Sequence, residues 1–279
     1  MSKDWLSNSY TYTPHIDAYL ERIRYAGSRD VCAETLFQLQ WHHVQAIPYE
    51  VLDTHLTGKV DLAPEVVERK IVANGRGGYC YEQNTLFMHV LKTLGFKVKA
   101  VTARARWQKP EEFMSGNIHL ILIVDVDGKS YACDVGFSSC GSAYPLLFDT
   151  EDIQHMPLES RRVIWRDELY VHQLLAKGVW LDVYVFTLHE SFPMDWEIGS
   201  YYWQSHPNAL GVKMIIVSIA AKDCRYRLLD KEFTKRYVDG TVENRTIETE
   251  EEYIQTLRTI FNLNIPDGVS ICPPNTTWS

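Results

Sequence analysis

The chain has 279 residues and a mass of 32.3 kDa, enough for one large domain or two ordinary ones and for a core that needs no disulfide staples. Hydrophobic residues at 46% and charged residues at 23% exclude a disordered tail, a collagen-like fibre and a simple coiled coil. A net charge of −8 does not call for a basic nucleic-acid face, though it leaves room for a local basic patch for a phosphate-bearing small molecule; no apolar run reaches the ~20 residues of a membrane helix, and MSKDWLSNSY lacks the apolar centre of a secretory signal, which points to the cytoplasm.

Residues 1–95 read as helical. Thr13-Pro14 looks like an N-cap followed by proline at the first helical position. Ile16, Tyr19, Leu20 and Ile23 follow at helical spacing, and Gly27 stands where a C-cap belongs. A second helix is expected from about Asp30 to Val44, ending before Pro48. Pro64 opens a short third helix through Val67 and Ile71. A fourth follows the glycines at 75–78, carries Leu86, Phe87, Val90, Leu91 and Leu94 as its apolar stripe, and stops at Gly95.

The texture then changes. Segments 97–107, 117–126, 129–136, 161–175 and 179–187 are rich in β-branched and aromatic residues. Asp127-Gly128 and Lys177-Gly178 are hairpin signals between them. This reads as an antiparallel sheet or small barrel. After Pro207 come apolar strands around 212–220 and 224–229 and a hairpin at Asp239-Gly240. Thr249 with Glu252 forms a capping-box pattern that opens a last helix carrying Ile254, Leu257 and Phe261. Its acidic run, Glu248–Glu252, suits a helix start. Helices, then strands, then a mixed unit make an α+β chain in three sub-domains.

Six cysteines, Cys32, Cys80, Cys133, Cys140, Cys224 and Cys272, are scattered without a CxxC pair, which argues against a disulfide framework or a zinc ribbon. Cys80 follows Gly75-Arg76-Gly77-Gly78-Tyr79 and falls at the start of the fourth helix. Unpaired N–H groups and the helix dipole favour an anion there, and a thiolate is such an anion. A buried structural cysteine beside a glycine turn is the alternative. If Asp127-Gly128 is a two-residue turn, Val126 pairs with Lys129, Ile121 faces Asp134 and His119 faces Gly136. His119, Ile121, Ala132 and Asp134 then share one face, with His119 and Asp134 as diagonal neighbours. The opposite face, with Leu120, Leu122, Val124, Tyr131, Cys133 and Val135, is apolar and reads as core. Alone, the pair is equally well a structural hydrogen bond. With Cys80 it supplies the base and the orienting carboxylate of a Cys-His-Asp triad.

The block RGGYCYEQN, the strand carrying His119-Leu120 and the strand ending Asp134-Val135-Gly136-Phe137 resemble the arylamine N-acetyltransferases. Ile47-Pro48-Tyr49-Glu50 is similar to that family's Pro-Phe-Glu-Asn element. Phe192-Pro193-Met194-Asp195-Trp196-Glu197 and Ser205-His206-Pro207 resemble its segment joining the barrel to the last domain. The resemblance implies a helical bundle over 1–95 carrying the nucleophile, an antiparallel β-barrel over 96–205 carrying His119 and Asp134, and an α/β lid over 206–279. It implies acetyl transfer from acetyl-CoA to arylamines or hydrazines, and to N-hydroxyarylamines through oxygen, by a ping-pong route through an acetyl-thioester on Cys80. Acetyl-CoA is then a co-substrate and no metal is expected. Val51 stands where the family commonly has Asn, and Ser138-Ser139 where it commonly has Gly, so donor geometry is the part that departs.

Phe137 resembles an aromatic of the family's acceptor pocket and, with Trp107, is a candidate pocket residue. Arg76 is expected to pair with a carboxylate inside the fold. His42-His43 reads as a surface-and-core pair in a helix, Cys133 as packing, Tyr201-Tyr202-Trp203 as core or pocket wall, and Cys140 as a loop thiol near the site, open to oxidation or alkylation. A related reading keeps the triad and closes a macrolactam from a carrier-bound acyl chain. A cysteine hydrolase orders Cys, His and Asp or Asn in the same way. A non-catalytic binder is a third class. The sequence leaves the oligomeric state open between monomer and dimer.

Overall fold

The computed structural model describes residues 11–110 and 112–278, so the MSKDWLSNSY segment read above lies outside the described residues. The N-terminal helices are α1 (Ile16–Arg22), α2 (Ala33–Ala46), α3 (Leu52–Leu56), α4 (Pro64–Glu68), continued by a π-turn at Arg69–Ala73, and α5 (Cys80–Leu94). Strand β1 (Tyr49–Glu50) lies between α2 and α3. The first helix departs from expectation at both ends. His15, not Thr13, is its N-cap, and Arg24 rather than Gly27 takes the left-handed conformation after it, with φ 56. Tyr25 N–H then reaches Leu20 O at 2.9 Å and Arg24 N–H reaches Glu21 O at 2.9 Å, the paired bonds of a Schellman end. The fourth expected helix starts at Cys80 and stops at Gly95, whose φ is 99.

Seven strands form the central sheet: β2 (Lys97–Ala105), β3 (Asn117–Val126), β4 (Lys129–Cys133), β5 (Leu146–Leu147), β6 (Arg161–Arg166), β7 (Leu169–Ala176) and β8 (Val179–Glu190). Their order is β5-β4-β3-β2-β8-β7-β6. The expected single strand 161–175 is two strands. Asp167 and Glu168, with φ 53 and 60, make the turn between them without a glycine to mark it. Gln154 closes the gap between the two edges. Its backbone pairs both ways with Arg161, at 2.7 and 2.9 Å, and its side-chain amide takes both backbone groups of Leu147, at 2.9 and 2.8 Å. One glutamine thus substitutes for a strand, and the barrel is nearly closed.

The segment joining the barrel to the last sheet is a helix, α6 (Pro193–Ser205), with proline at its first position and Asp195 accepting from Phe192 N–H at 2.9 Å. In it Tyr201 and Tyr202 are exposed, so of the Tyr201-Tyr202-Trp203 run only Trp203 packs against the core. The expected strand from 212 begins instead with the short α7 (Leu210–Lys213). The second sheet has the order β1-β9-β10-β11-β12, from β9 (Ile216–Ala220), β10 (Cys224–Leu229), β11 (Glu232–Tyr237) and β12 (Val242–Thr246). Helix α8 (Glu250–Thr259) covers it, capped by Thr249, whose side chain accepts from Glu252 N–H.

The β3–β4 hairpin has the register that its turn dictates, from Val126 opposite Lys129 to Leu122 opposite Cys133. Both faces are core. Leu120, Leu122, Val124, Tyr131 and Cys133 pack on the helices, while Ile121, Ile123 and Ala132 pack inside the barrel. Each such buried aliphatic side chain contributes ~1.5–3 kcal/mol, so a one-residue slip of this hairpin is strongly disfavoured. No helix among the described residues is long and apolar enough to cross a membrane.

Candidate active site

The loop before Cys80 lies directly on Pro48-Tyr49-Glu50. Gly78 bridges Tyr49, Glu50 N–H reaches Gly78 O at 3.1 Å, and a Cβ on Gly77 would sit 2.1 Å from Pro48 O. Only a glycine permits that approach. Arg76 donates twice to Glu50, at 3.0 and 2.8 Å, and once to Asp53, at 2.8 Å. This is the internal pairing expected of it. Lys70 reaches Asp53 and Glu82, each at 2.7 Å. Glu82 in turn accepts Tyr79 N–H at 3.1 Å, one half of a capping box on α5. Burial raises the Glu82 carboxyl to about 7 in spite of Lys70. The nucleophile candidate thus stands on a helix start held by a buried ion cluster.

His119 Nε2 and Asp134 Oδ2 are 2.7 Å apart. That bond leaves Nδ1 as the ring nitrogen open to Cys80, the side chain that, after Asp134, raises the imidazole pKa. Burial works against a charged His119, but the Asp134 carboxylate and then Cys80 override it and hold the imidazole up at about 10. Exposure falls along the row, from 9% at Cys80 through 6% at His119 to 1% at Asp134. The sulfur therefore stands at the accessible end and the carboxylate at the sealed end. Such a row can form an imidazolium–thiolate pair and move a proton at Nδ1.

Asn84 holds this geometry. Its Nδ2 donates to Asp134 Oδ1 at 3.0 Å and to Leu120 O at 2.7 Å, and its Oδ1 accepts Val135 N–H at 3.0 Å. Gly136 N–H fills the remaining side of Asp134 Oδ1 at 2.9 Å. A Cβ on Gly136 would lie 2.6 Å from Cys80 Cα, so the chain leaving β4 rests on the first turn of α5. Asn84 went unassigned in the sequence, although its spacing of four from Cys80 places both on one helical face.

Phe137 meets His119 edge-on at 4.8 Å between ring centroids, and Tyr184 packs against both, at 5.4 Å from His119 and 5.6 Å from Phe137. Tyr184 carried no motif and was missed. Trp107 lines a 460 Å³ cleft with Arg106, Lys109, Arg166 and Trp180, and, like Phe137, packs against the cluster inside the barrel that holds Tyr184. A second cleft, of 430 Å³, lies between α1 and α4, and neither borders Cys80, His119 or Asp134. Behind Asp134 and Phe137 a cavity of about 30 Å³ has room for a water, not for a substrate.

Cys140 is fully buried and its thiol is pushed up to about 12 by burial, so it is no target for oxidation or alkylation. Its loop is gripped by arginines. Arg161 donates to Cys140 O and Gly141 O, Arg225 to Gly141 O, and Arg236 to Ser139 O, with Glu159 as the carboxylate that all three share. Cys133 packs as expected, on the helical side of the hairpin. His43 is buried between Tyr19 and Gln83, at 2.8 and 3.0 Å, and His42 is part-buried against Ile23 O. Among the described residues no cluster of three His, Cys, Asp or Glu side chains has the arrangement of a metal site.

A family model described as N-acetyltransferase matches residues 33–269. The chain is 30% identical to the arylamine N-acetyltransferase of Mycobacterium tuberculosis over 256 residues, covering 90% of each protein. It is 31% identical to human arylamine N-acetyltransferase 2 over 274 residues, covering 90% of this chain and 94% of the relative. The structure of Mycobacterium marinum arylamine N-acetyltransferase in complex with CoA superposes with a TM-score of 0.85 at 31% identity, covering 89% of this chain and 93% of that one.

Proposed function

The chain belongs to the arylamine N-acetyltransferase family, and on that premise we propose that it carries an acetyl group from acetyl-CoA to an arylamine or hydrazine nitrogen through a thioester on Cys80. The observation that carries this reading is the buried row of Cys80, His119 and Asp134, in which His119 is bonded to Asp134 and both neighbours raise its pKa against burial. The M. marinum relative solved with CoA supports CoA as the leaving half of the donor.

In the first half-reaction the Cys80 sulfur attacks the thioester carbonyl. The bond from that carbon to the CoA sulfur breaks, and the departing CoA thiolate takes the proton from His119 Nδ1. In the second, the amine nitrogen attacks the Cys80 thioester and gives its proton back to His119 Nδ1. The carbon–sulfur bond breaks and the sulfur returns to the imidazolium. Asp134 fixes the imidazole so that Nδ1 faces the sulfur, and Asn84 fixes Asp134. N-hydroxyarylamines would accept through oxygen in the same way. Phe137, packed on His119, supplies an apolar wall for an aromatic acceptor.

The test is the intact mass of the purified protein after acetyl-CoA without amine, with peptide mapping. One acetyl group on Cys80, released by an arylamine and absent from Cys80→Ser, is the expected result. Cys80→Ser with full turnover would exclude the mechanism. No adduct from acetyl-CoA, together with acylation from a carrier-bound thioester, would move the chain to the amide-synthase reading, and cleavage of peptides to the hydrolase reading.

A further inference from the structure

The residues on either side of the nucleophile both end on the same helix. Tyr79 and Tyr81 are each 1% exposed, and their rings meet edge-on at 5.8 Å. The Tyr79 hydroxyl is bonded to Ser200 Oγ. Ser200 Oγ also accepts from Gln204 Nε2 at 3.0 Å, and Gln204 Oε1 accepts Val60 N–H at 2.6 Å. Tyr81 reaches the preceding residue of the same helix. A Cβ built on Gly199 would lie 1.9 Å from the Tyr81 hydroxyl and 2.7 Å from its Cζ. Gly199 therefore lets the phenol end lie against the backbone of α6.

The Tyr81 hydroxyl is buried and has no hydrogen-bond partner among the described residues. An unpartnered buried hydroxyl is destabilising, and phenylalanine would avoid that cost. What the oxygen does provide is length. It carries the ring into contact with α6, while the other end of the ring belongs to the residue after Cys80. Tyr79 does the same from the residue before it. The first turn of α5 is thus set from both sides by two rings wedged against one helix, and the direction of the Cys80 side chain follows from that turn.

We propose that Tyr81 and Tyr79 are positioning residues for Cys80, seated on α6 by Gly199 and Ser200. This rests on the acyl-transfer reading for what Cys80 does, but not for where it points. Gly199→Ala displaces the Tyr81 ring, and with it the sulfur relative to His119. A misplacement of ~1 Å can cost about 10²-fold in rate. The hydroxyl and Cζ of Tyr81 both compete with the methyl of an alanine at 199 for one space, so removing the hydroxyl relieves the closer of the two contacts.

The test follows Cys80 in two ways: acetylation by acetyl-CoA in a single turnover, and alkylation by iodoacetamide across pH 5–10. Gly199→Ala is expected to slow both by about 10²-fold. Tyr81→Phe is expected to slow both about threefold while melting no earlier than wild type, because it discards an unpartnered hydroxyl. A residue with only a structural role would move stability and reactivity together. Gly199→Ala with Tyr81→Phe is expected to regain about threefold of the lost rate, because the ring carbon at 2.7 Å remains after the hydroxyl is removed. Should Gly199→Ala fail to fold, Ser200→Ala, which frees the Tyr79 hydroxyl, is expected to slow alkylation about fivefold in a folded protein. A double variant no faster than Gly199→Ala, or Ser200→Ala with unchanged alkylation, overturns the proposal. If wild type takes no acetyl group, the proposed function fails, while alkylation, which needs no donor, still decides the wedge.

Discussion

Two loops deliver the reactive side chains, and they are built on opposite principles. The loop at 75–78, which leads into Cys80, is made of glycine and held by two cations, Lys70 and Arg76, among three carboxylates, Glu50, Asp53 and Glu82. The loop at 137–141, which leaves Asp134, is held by three arginines around the single carboxylate of Glu159. In the first, glycine makes room for close backbone contact and the charges secure side chains. In the second, the guanidinium protons are used directly on the loop's own carbonyls, and Ser139 takes a left-handed φ of 64 within the Ser138-Ser139 stretch, where the family commonly has glycine. A left-handed loop can thus be specified by a tolerant residue or imposed on an intolerant one by what surrounds it.

Asp134 is where the two loops meet, since Asn84 and Gly136 both bond its Oδ1. Asp134→Asn gives the largest expected effect. His119 is raised to about 10, above the ~6.5 of a free imidazole. A raised histidine contributes stability that is fully present below ~6.5 and is lost as pH climbs through about 10. Asparagine removes the leading cause of the rise and leaves burial, which acts the other way. The imidazole pKa then falls, with only Cys80 left to oppose burial, and turnover falls on the order of 10³-fold. The pH profile of Cys80 alkylation checks the sign: the advantage it draws from a charged His119 below about pH 10 should be lost. A profile that keeps its shape would mean that Asp134 only shapes the loop.

Glu159→Gln separates the loops by stability. It leaves Arg161, which is fully buried, and Arg225 and Arg236 without a counter-charge. Removing one partner of a buried charge pair costs ~3–5 kcal/mol, and here three cations lose the same partner. Denaturant midpoints at constant slope should fall accordingly. A loss below about 1 kcal/mol would show that the loop carbonyls alone satisfy the guanidinium groups.

How far the sequence revealed these parts follows from the distance over which each is specified. Cys80 at a helix start and the His119–Asp134 diagonal were legible because a glycine run and a two-residue turn are local and leave one register. The Asp167-Glu168 turn was not, because two non-glycine residues adopt φ values of 53 and 60 there under the pairing of β6 with β7. Helix α6 carried a start signal in Pro193, but Gly199 and the following aromatic residues obscured it. The arginine grip joins positions 139–141, 159, 161, 225 and 236, and no periodicity connects them. The pairing of Tyr81 with Gly199 is of the same long-range kind, a contact that each residue conceals as an ordinary member of its helix.

The smallest effect tests the comparison at one backbone angle. If the arginines and Ser218, whose Oγ accepts Ser139 N–H at 3.0 Å, impose the conformation of residue 139, its side chain is strained there. Ser139→Gly then relieves ~1–2 kcal/mol of left-handed strain and incurs ~0.5–1 kcal/mol from the freer unfolded chain. It also gives up the Ser138–Ser139 hydroxyl contact at 3.0 Å, but Ser138 keeps Ser218 at 3.3 Å. The balance is a stabilisation of about 0.5 kcal/mol, read as a shift in urea midpoint. Turnover should be unchanged, because the backbone N–H and carbonyl that anchor the loop remain. Destabilisation beyond about 1 kcal/mol would reverse the assignment, making the serine hydroxyl rather than the arginine grip what holds the loop beside Phe137.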